Sequence, residues 1–517
     1  MLPLEKYYLK VSKASDLKSP RDRFIYRAFE MLPGALTWLT LLSVIFLSWS
    51  KPIWVALFII TFDVYWLLKT FYLSVHLRAG YSRMKKHLAI DWMEKLERFK
   101  WQKVYHLVIF PMHKESLNVV RASFQAVVNS NYPKDKMIVV LAAEERAGQK
   151  AKKTSQVIKK EFGDEFYKFL ITNHPRNIAG ELAGKGANAT WAARMAKKKI
   201  IDFLKIPYKN IIVSCFDIDT QVYPQYFSCL TYHYLTAKKP TRSSYQPIPI
   251  YNNNIWQAPA VSRVVATSGT FWQMMQQQRT ERLSTFSSQA ISFQALAEVD
   301  FWPTNVVSED SRIFWQNLLF YQGDYRTIPL YYPVSMDANL ASSFLGTVIN
   351  VYRQQRRWGW GVENIPFLLF GFCKDKKISW QQKIKWSWVQ IEGFWSWATN
   401  ALLIFLLGWL PLFLGGQKFN VTLLSYNLPR ITRILMTLAM IGLVGSAIYS
   451  TLLLPRRPKE YGLIKTCLKY IAMVVQWILV PITILVFGSL PGVDSQTRLM
   501  LGKYMGFWVT PKKKAGE

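Results

Sequence analysis

Asp217 and Asp219, in Asp217-Ile218-Asp219, follow the apolar run Ile211–Cys215. An Asp-x-Asp pair can hold a hard divalent cation through carboxylate oxygens, and that cation can neutralise a diphosphate leaving group. Downstream, Ser308-Glu309-Asp310 offers a separate carboxylate that can take the proton from an attacking hydroxyl. Later still, Gln354-Gln355-Arg356-Arg357-Trp358 sets a planar guanidinium, a fork for phosphate, beside a flat apolar ring able to support a sugar. Each piece has a plainer reading. An Asp-x-Asp after a strand is often turn chemistry, a Glu-Asp pair can simply face a helix dipole, and Arg356-Arg357 can snorkel beside lipid. Alone each is weak; their order along one chain is the informative signal.

These residues need a scaffold that brings distant segments to one edge, and the intervening sequence alternates short β-like runs with helical ones. Val104–Phe110 reads as a strand ending at Pro111, Leu117–Asn129 as a helix and Met137–Leu141 as a second strand. Ile211–Cys215 reads as a strand that delivers the Asp-x-Asp at its carboxyl end, where open α/β sheets bind ligands. Gly184-Lys185-Gly186 lacks the Walker spacing and is not a P-loop.

Apolar runs bracket this region. Ala35–Trp49 and Ile53–Leu68, split by Ser50-Lys51-Pro52, read as a two-helix membrane hairpin (35–69) behind a basic segment (1–34). Ser379–Trp397 mixes lysines with five tryptophans and reads as an amphipathic helix (379–394) lying along a membrane. Three more spans are expected within 395–490, at Trp395–Gly415, Ile434–Leu454 and Tyr470–Leu490, before a basic tail (491–517). Half of the 517 residues are hydrophobic, and the 21 Trp and 26 Tyr suit a membrane–water interface. The 65 Lys and Arg against 32 acids give a net charge of +33, which calls for anionic lipid or nucleotide phosphate as partner; no nucleic-acid module accompanies it. Positive flanks place the region between the membrane blocks in the cytosol. Five crossings would strand Pro511-Lys512-Lys513-Lys514 on the far side, against that tendency, unless Met500–Val509 re-enters or lies in the interface. Asp63, inside an apolar run, suggests a polar path or a hydrogen bond within the bundle. The four Cys form no C-x-x-C and the six His show no metal-ligand spacing, which argues against zinc.

Taken with Pro111, Glu115 and Lys185-Gly186-Ala187-Asn188, these motifs resemble the membrane-embedded family 2 glycosyltransferases, the group of cellulose, chitin and hyaluronan synthases. The resemblance runs from about Val104 to Trp358 and implies a GT-A domain, an α/β nucleotide-sugar-binding fold (70–378) set between N- and C-terminal membrane helices. It implies a UDP-sugar donor and Mg or Mn, with Asp219 as the main metal ligand and Asp217 nearer the nucleotide. Pro111, Glu115, Glu144 and Lys185 would line the donor site. Asp310 would be the general base, Glu309 would position the acceptor, and Gln354, Arg357 and Trp358 would close over pyrophosphate and acceptor sugar. Processive members carry a mobile loop with a Phe-x-Val-Thr core; Phe419-Asn420-Val421-Thr422 has those letters but lacks the following Lys, and reads as coincidence.

The expected function is therefore an inverting, multi-pass glycosyltransferase of the plasma (inner) membrane, its catalytic domain cytosolic, extending a polysaccharide and exporting it through its own helices. A non-processive transferase acting on a lipid acceptor shares the same signature. A transporter or glycan scaffold with a dead transferase domain is the reading from another class, and the retention of Asp217, Asp219, Asp310 and Arg357 speaks against it.

Overall fold

The strands that carry the motifs are continuous apolar runs, the pattern of parallel strands covered on both faces. Every residue of Met137–Glu144 is buried, as is every residue of Ile211–Cys215. The computed structural model describes residues 4–456 and 462–509. Most of the basic stretch Arg456–Lys459 and the lysines of Pro511–Lys514 lie outside the described residues.

One mixed sheet contains β1 (Tyr105–Pro111), β2 (Met137–Glu144), β3 (Lys168–His174), β4 (Ile211–Cys215), β5 (Gln221–Val222), β6 (Ser243–Ile250), β7 (Ala290–Ser292) and β8 (Arg326–Ser335). Their order is β3-β2-β1-β4-β7-β6-β8-β5. The first four strands run parallel, β7 and β5 run against their neighbours, and β6 and β8 are parallel to each other. The carboxyl ends of β1, β2, β4, β6 and β8 thus share one edge, and all the motifs of the first two-thirds of the chain arrive there. On one face the helices Lys185–Ala196 and Glu309–Phe320 pack with Tyr8, Leu9 and Tyr26 from the N-terminal segment. On the other lie Leu117–Val128, Gly148–Phe162 and Tyr226–Thr236, around Phe110, Phe124 and Phe216. Burying each such ring contributes about 1.5–3 kcal/mol.

Among the described residues, four helices are long and apolar enough to cross a membrane: Pro20–Ser50, Pro52–Leu88, Leu423–Leu452 and Thr466–Met500. Trp380–Phe405 and Leu407–Leu414, bent by 49°, make a fifth if counted together. These helices suggest a membrane protein. The expected hairpin break is present, with Pro52 in the first turn of the second helix.

The boundaries differ from the sequence reading in three places. Pro52–Leu88 runs on past residue 69 so that Leu77 and Met84 pack with Ile248, Ile250 and Val264. Trp380–Phe405 passes residue 394 unbroken, so the tryptophan-rich amphipathic stretch and the span after it are one helix. Nothing at 394–395 interrupts the backbone ladder, whereas the chain does bend at Leu406, where φ/ψ leave the helical region. Finally, the apolar helix ending at Met500 bonds at both ends to the sheet domain and the segments beside it. Lys469 Nζ donates to Trp256 O at 3.3 Å and Arg263 Nε to Gln476 Oε1 at 2.6 Å near its start. Near its end, Ser495 Oγ donates to Arg356 O at 2.9 Å and Arg27 to Leu499 O at 3.0 Å. Residues 503–509 form no helix, and Tyr504 OH donates to Glu30 Oε2 at 2.8 Å.

Candidate active site

The turn after β4 carries Asp217 and Asp219, and Thr220 N closes it on Asp217 O at 2.9 Å. Turn chemistry is therefore present, but it does not consume the carboxylates. Asp217 Oδ2 accepts from Ser287 Oγ at 2.6 Å, and its Oδ1 lies 2.7 Å from Lys185 Nζ. Asp219, 1% exposed, accepts the Asp337 backbone N–H at 3.0 Å, which ties the end of β4 to the residues leaving β8. Asn253, just past β6, donates to both Asp219 O and Asp337 Oδ1, at 3.0 and 2.9 Å.

Lys185 opens the helix Lys185–Ala196 and points at the same cluster. Asn188, in the same first turn, donates to Ala142 O at 2.6 Å and fixes that turn to the end of β2. Glycine is required next to the lysine: a Cβ on Gly186 would come within 2.7 Å of Pro303 O and 2.9 Å of Glu309 Cβ. Lys185 Nζ reaches Asp310 Oδ1 at 3.0 Å and Oδ2 at 2.8 Å.

Glu309 and Asp310 begin the helix Glu309–Phe320, so the dipole reading describes their position correctly. They are also held from elsewhere. Glu363 Oε1 accepts from Val307 N, Ser308 N and Ser308 Oγ at 3.0, 2.9 and 2.7 Å. Thr285 Oγ1 and Gln289 Nε2 donate to Asp310 O at 2.6 and 3.1 Å. Glu309 is buried, and its Oε1 has no hydrogen-bond partner among the described residues.

The electrostatics divide the pair. Burial raises the Glu309 carboxyl well above the usual range and Asp310 adds to this, with Lys185 and Arg357 opposing. Burial also raises Asp310, but Lys185, directly bonded, pulls it back toward the charged form. Burial alone would lower Lys185, yet the Asp217 and Asp310 carboxylates hold it well above its ordinary value. Tyr251, half-buried just past the end of β6, is raised by desolvation and by Asp217 and Asp219, with Arg357 opposing.

Gln354, Arg357 and Trp358 lie on the helix Phe344–Gly359, whose Ser343 N-cap accepts from Gly346 N at 3.0 Å. Trp358 sits 6.2 Å from the Tyr251 ring at an interplanar angle of 38°. With Gln354, Asp337 and Asn339 these two rings line a small cavity beside the acidic cluster. Arg356 turns away to Asp494 at 3.1 Å. The residues expected at the donor site lie farther along the strand edge. Pro111 ends β1, Glu115 accepts from His113 N at 2.7 Å, and Glu144 ends β2 paired with Arg146.

Several contributors were missed in the sequence: Tyr251, Ser287, Asp337 and Glu363 have no motif of their own. Phe507 did have one. Phe507-Trp508-Val509-Thr510 repeats the Phe-x-Val-Thr letters and is followed by Lys512. The Phe507 ring lies 5.2 Å from the Arg357 guanidinium and packs on Gly184, where a Cβ would come within 2.7 Å of the ring. Phe419, by contrast, is buried among Ala56 and Leu428, within the helix bundle.

Metal binding can be tested against this donor set. Asp217 and Asp310 pair with Lys185, Asp219 stands with them and Arg357 around Tyr251, and Glu309 is held toward its neutral form. Hard oxygen donors with surplus negative charge suit Mg or Mn.

Residues 212–454 match the model of a family described as glycosyl transferase family group 2. The match begins in β4 and so takes in the Asp-x-Asp, the Glu-Asp pair and the Gln-x-x-Arg-Trp segment. No curated protein matches the chain. Among solved structures, the chain is similar to a mannosyltransferase from Pyrobaculum calidifontis in complex with GDP-Man and Mn2+. The identity is 14%, over 73% of this chain and 99% of that one, with a TM-score of 0.40. It is also similar to residues 1–349 of S. aureus TarS in complex with UDP, at 8% identity over 68% and 91% of the two chains, with a TM-score of 0.35.

Proposed function

We propose that this protein is an inverting membrane glycosyltransferase that moves a sugar from a UDP donor onto a growing polysaccharide. The observation that carries the reading is convergence: Lys185, Asp217, Asp310 and Arg357 meet at one sheet edge, and Phe507 of a Phe-x-Val-Thr-x-Lys segment covers Arg357. Pro111, Glu115 and Glu144 line the nucleotide side. Asp217 and Asp219 would hold Mg or Mn, which when bound neutralises charge on the departing diphosphate. Lys185 and Arg357 contribute fixed positive charge to the same leaving group. Asp310, drawn toward its charged form by Lys185 against the rise that burial imposes, takes the proton of the acceptor hydroxyl. Glu309, kept protonated by burial, donates a hydrogen bond that orients the acceptor. Two adjacent carboxyls thereby take different roles through their surroundings. Trp358 and Tyr251 offer ring faces to the acceptor sugar beside Gln354.

The apolar helix Thr466–Met500 stays on the catalytic side in this reading, since both of its ends bond to the catalytic domain or to the segments beside it. The crossings are then Pro20–Ser50, Pro52–Leu88, the bent Trp380–Leu414 pair and Leu423–Leu452. That even number replaces five, keeps Tyr504 and Phe507 beside the cytosolic site, and removes the conflict with the basic tail. The deciding experiment incubates purified protein with a panel of nucleotide sugars and sizes the products at limiting enzyme. Long chains made from one UDP-sugar support the proposal; addition of a single sugar to lipid would move the protein to the non-processive class. Absence of transfer from every donor would refute the enzyme reading.

A further inference from the structure

We propose that His87, Cys229 and His233 form a zinc site that ties the membrane hairpin to the catalytic sheet. Each residue offers one ligand atom, and these atoms all lie within 4.8 Å of one another. His87 comes from the last turn of Pro52–Leu88, while Cys229 and His233 are one turn apart on Tyr226–Thr236 and so share a face. The site is chemically unlike the acidic cluster. It stands whether or not the sugar-transfer reading holds.

Three observations point to a ligand. His87 Nδ1 lies 2.9 Å from Leu330 O, a contact that requires the proton on Nδ1 and leaves the Nε2 lone pair available. Metal-bound imidazoles are held in this way, through the ring nitrogen that does not touch the metal. His233 Nε2 is buried with no hydrogen-bond partner among the described residues. The third observation is a fully buried thiol, Cys229, beside both rings.

Packing accounts for part of this arrangement. The two imidazoles stack with centroids 5.9 Å apart, and Trp92 lies 5.1 Å from one and 5.5 Å from the other. Cys229 Sγ makes only a long contact, 3.9 Å, with Leu330 O, and packing does not account for an imidazole nitrogen left without a partner in a cluster this tight. Two neutral imidazoles and one thiolate form a borderline-soft set, which selects zinc over Mg or Mn. Burial raises the Cys229 thiol and Lys95 opposes it. On binding, the thiol proton leaves to solvent and the thiolate takes its place on the metal, so affinity rises with pH. Three protein ligands leave one tetrahedral position for a small oxygen donor. The helical i,i+4 spacing of Cys229 and His233 was available in the sequence, but the third ligand lies far upstream and no local motif signals it.

The test uses full-length protein purified in detergent without a histidine tag or chelator, with metal content measured by plasma mass spectrometry. The expected result is about one zinc per chain, retained in Asp219→Asn and lost in Cys229→Ser and His233→Ala. Zinc-free wild type after incubation with excess zinc, or variants that keep the metal, would overturn the proposal. Should either variant fail to fold, unaltered protein loaded with cobalt decides the matter. A thiolate-to-cobalt charge-transfer band in the near ultraviolet supports the site, and cobalt binding without that band refutes it.

Discussion

Lys185 grips Asp310 by both carboxylate oxygens, with Nζ 3.0 Å from Oδ1 and 2.8 Å from Oδ2, while it also reaches Asp217. One ammonium thus bridges the proposed metal-binding turn and the proposed base. Lys185→Met should leave Asp217 and Asp310 facing each other with no cation between them. Transfer should fall by about 10²-fold or more, the scale set by losing one electrostatic stabiliser. Steady-state kinetics would check it; near-normal turnover would make the lysine a structural filler.

The same contact makes a pH prediction. A base works only when deprotonated, so activity should fall as pH drops through the Asp310 pKa. Burial raises that pKa, placing the acidic limb above the ordinary carboxylate range. Lys185 opposes the rise, so residual activity in Lys185→Met should show its acidic limb at still higher pH. A limb that stays put or moves down would assign it to another group. Asp310→Asn should keep UDP binding and lose about 10²–10⁴-fold in transfer.

Removal of divalent metal should abolish transfer, and Mg or Mn should restore it. Asp219→Asn should lose both metal-dependent UDP binding and turnover. Calorimetry with and without chelator separates the two; full activity in excess chelator would take the metal out of the reaction.

Arg357 carries a Phe507 ring at 5.2 Å. A lysine cannot copy the flat fork, so Arg357→Lys should impair turnover even though charge is kept. Trp358→Ala should raise the acceptor requirement more than it weakens UDP binding, because only the acceptor would touch that ring. Equal losses in both measurements would mark Trp358 as a packing residue.

Gly186→Ala should cost stability. Its Cβ would meet a backbone oxygen at 2.7 Å, and overpacking of this kind typically costs about 1–3 kcal/mol. The midpoint of thermal unfolding in detergent reports it, and an unchanged midpoint would mean that Glu309 and Pro303 yield freely.

The strand bearing Asp217 and Asp219 was legible because a buried parallel strand needs an unbroken apolar run, and Ile211–Cys215 has one. The Glu-Asp and Gln-x-x-Arg-Trp segments were legible through the order of their motifs. Tyr251, Ser287 and Glu363 were not, because each acts through a contact made only when β4, β6 and the helix after Arg357 come together. The boundary at residue 394 failed for a different reason: composition changes there, but no residue breaks the helix. Phe507 was not legible because its tie to Arg357 is made only in the fold, while the same letters at Phe419 lie within the helix bundle.

The unbroken Trp380–Phe405 helix has a mechanical consequence. Its Trp386 packs edge-on against Phe314 and Trp315, at 5.5 and 5.3 Å, on the helix that begins with Glu309 and Asp310. Its other half belongs to the bent apolar pair. A stiff rod of this kind would set the height of the proposed proton-accepting carboxylate above the lipid, and a change in bilayer thickness that tilts the rod would move the carboxylate with it. Turnover in vesicles should therefore depend on lipid chain length even when headgroup, donor and acceptor are held constant.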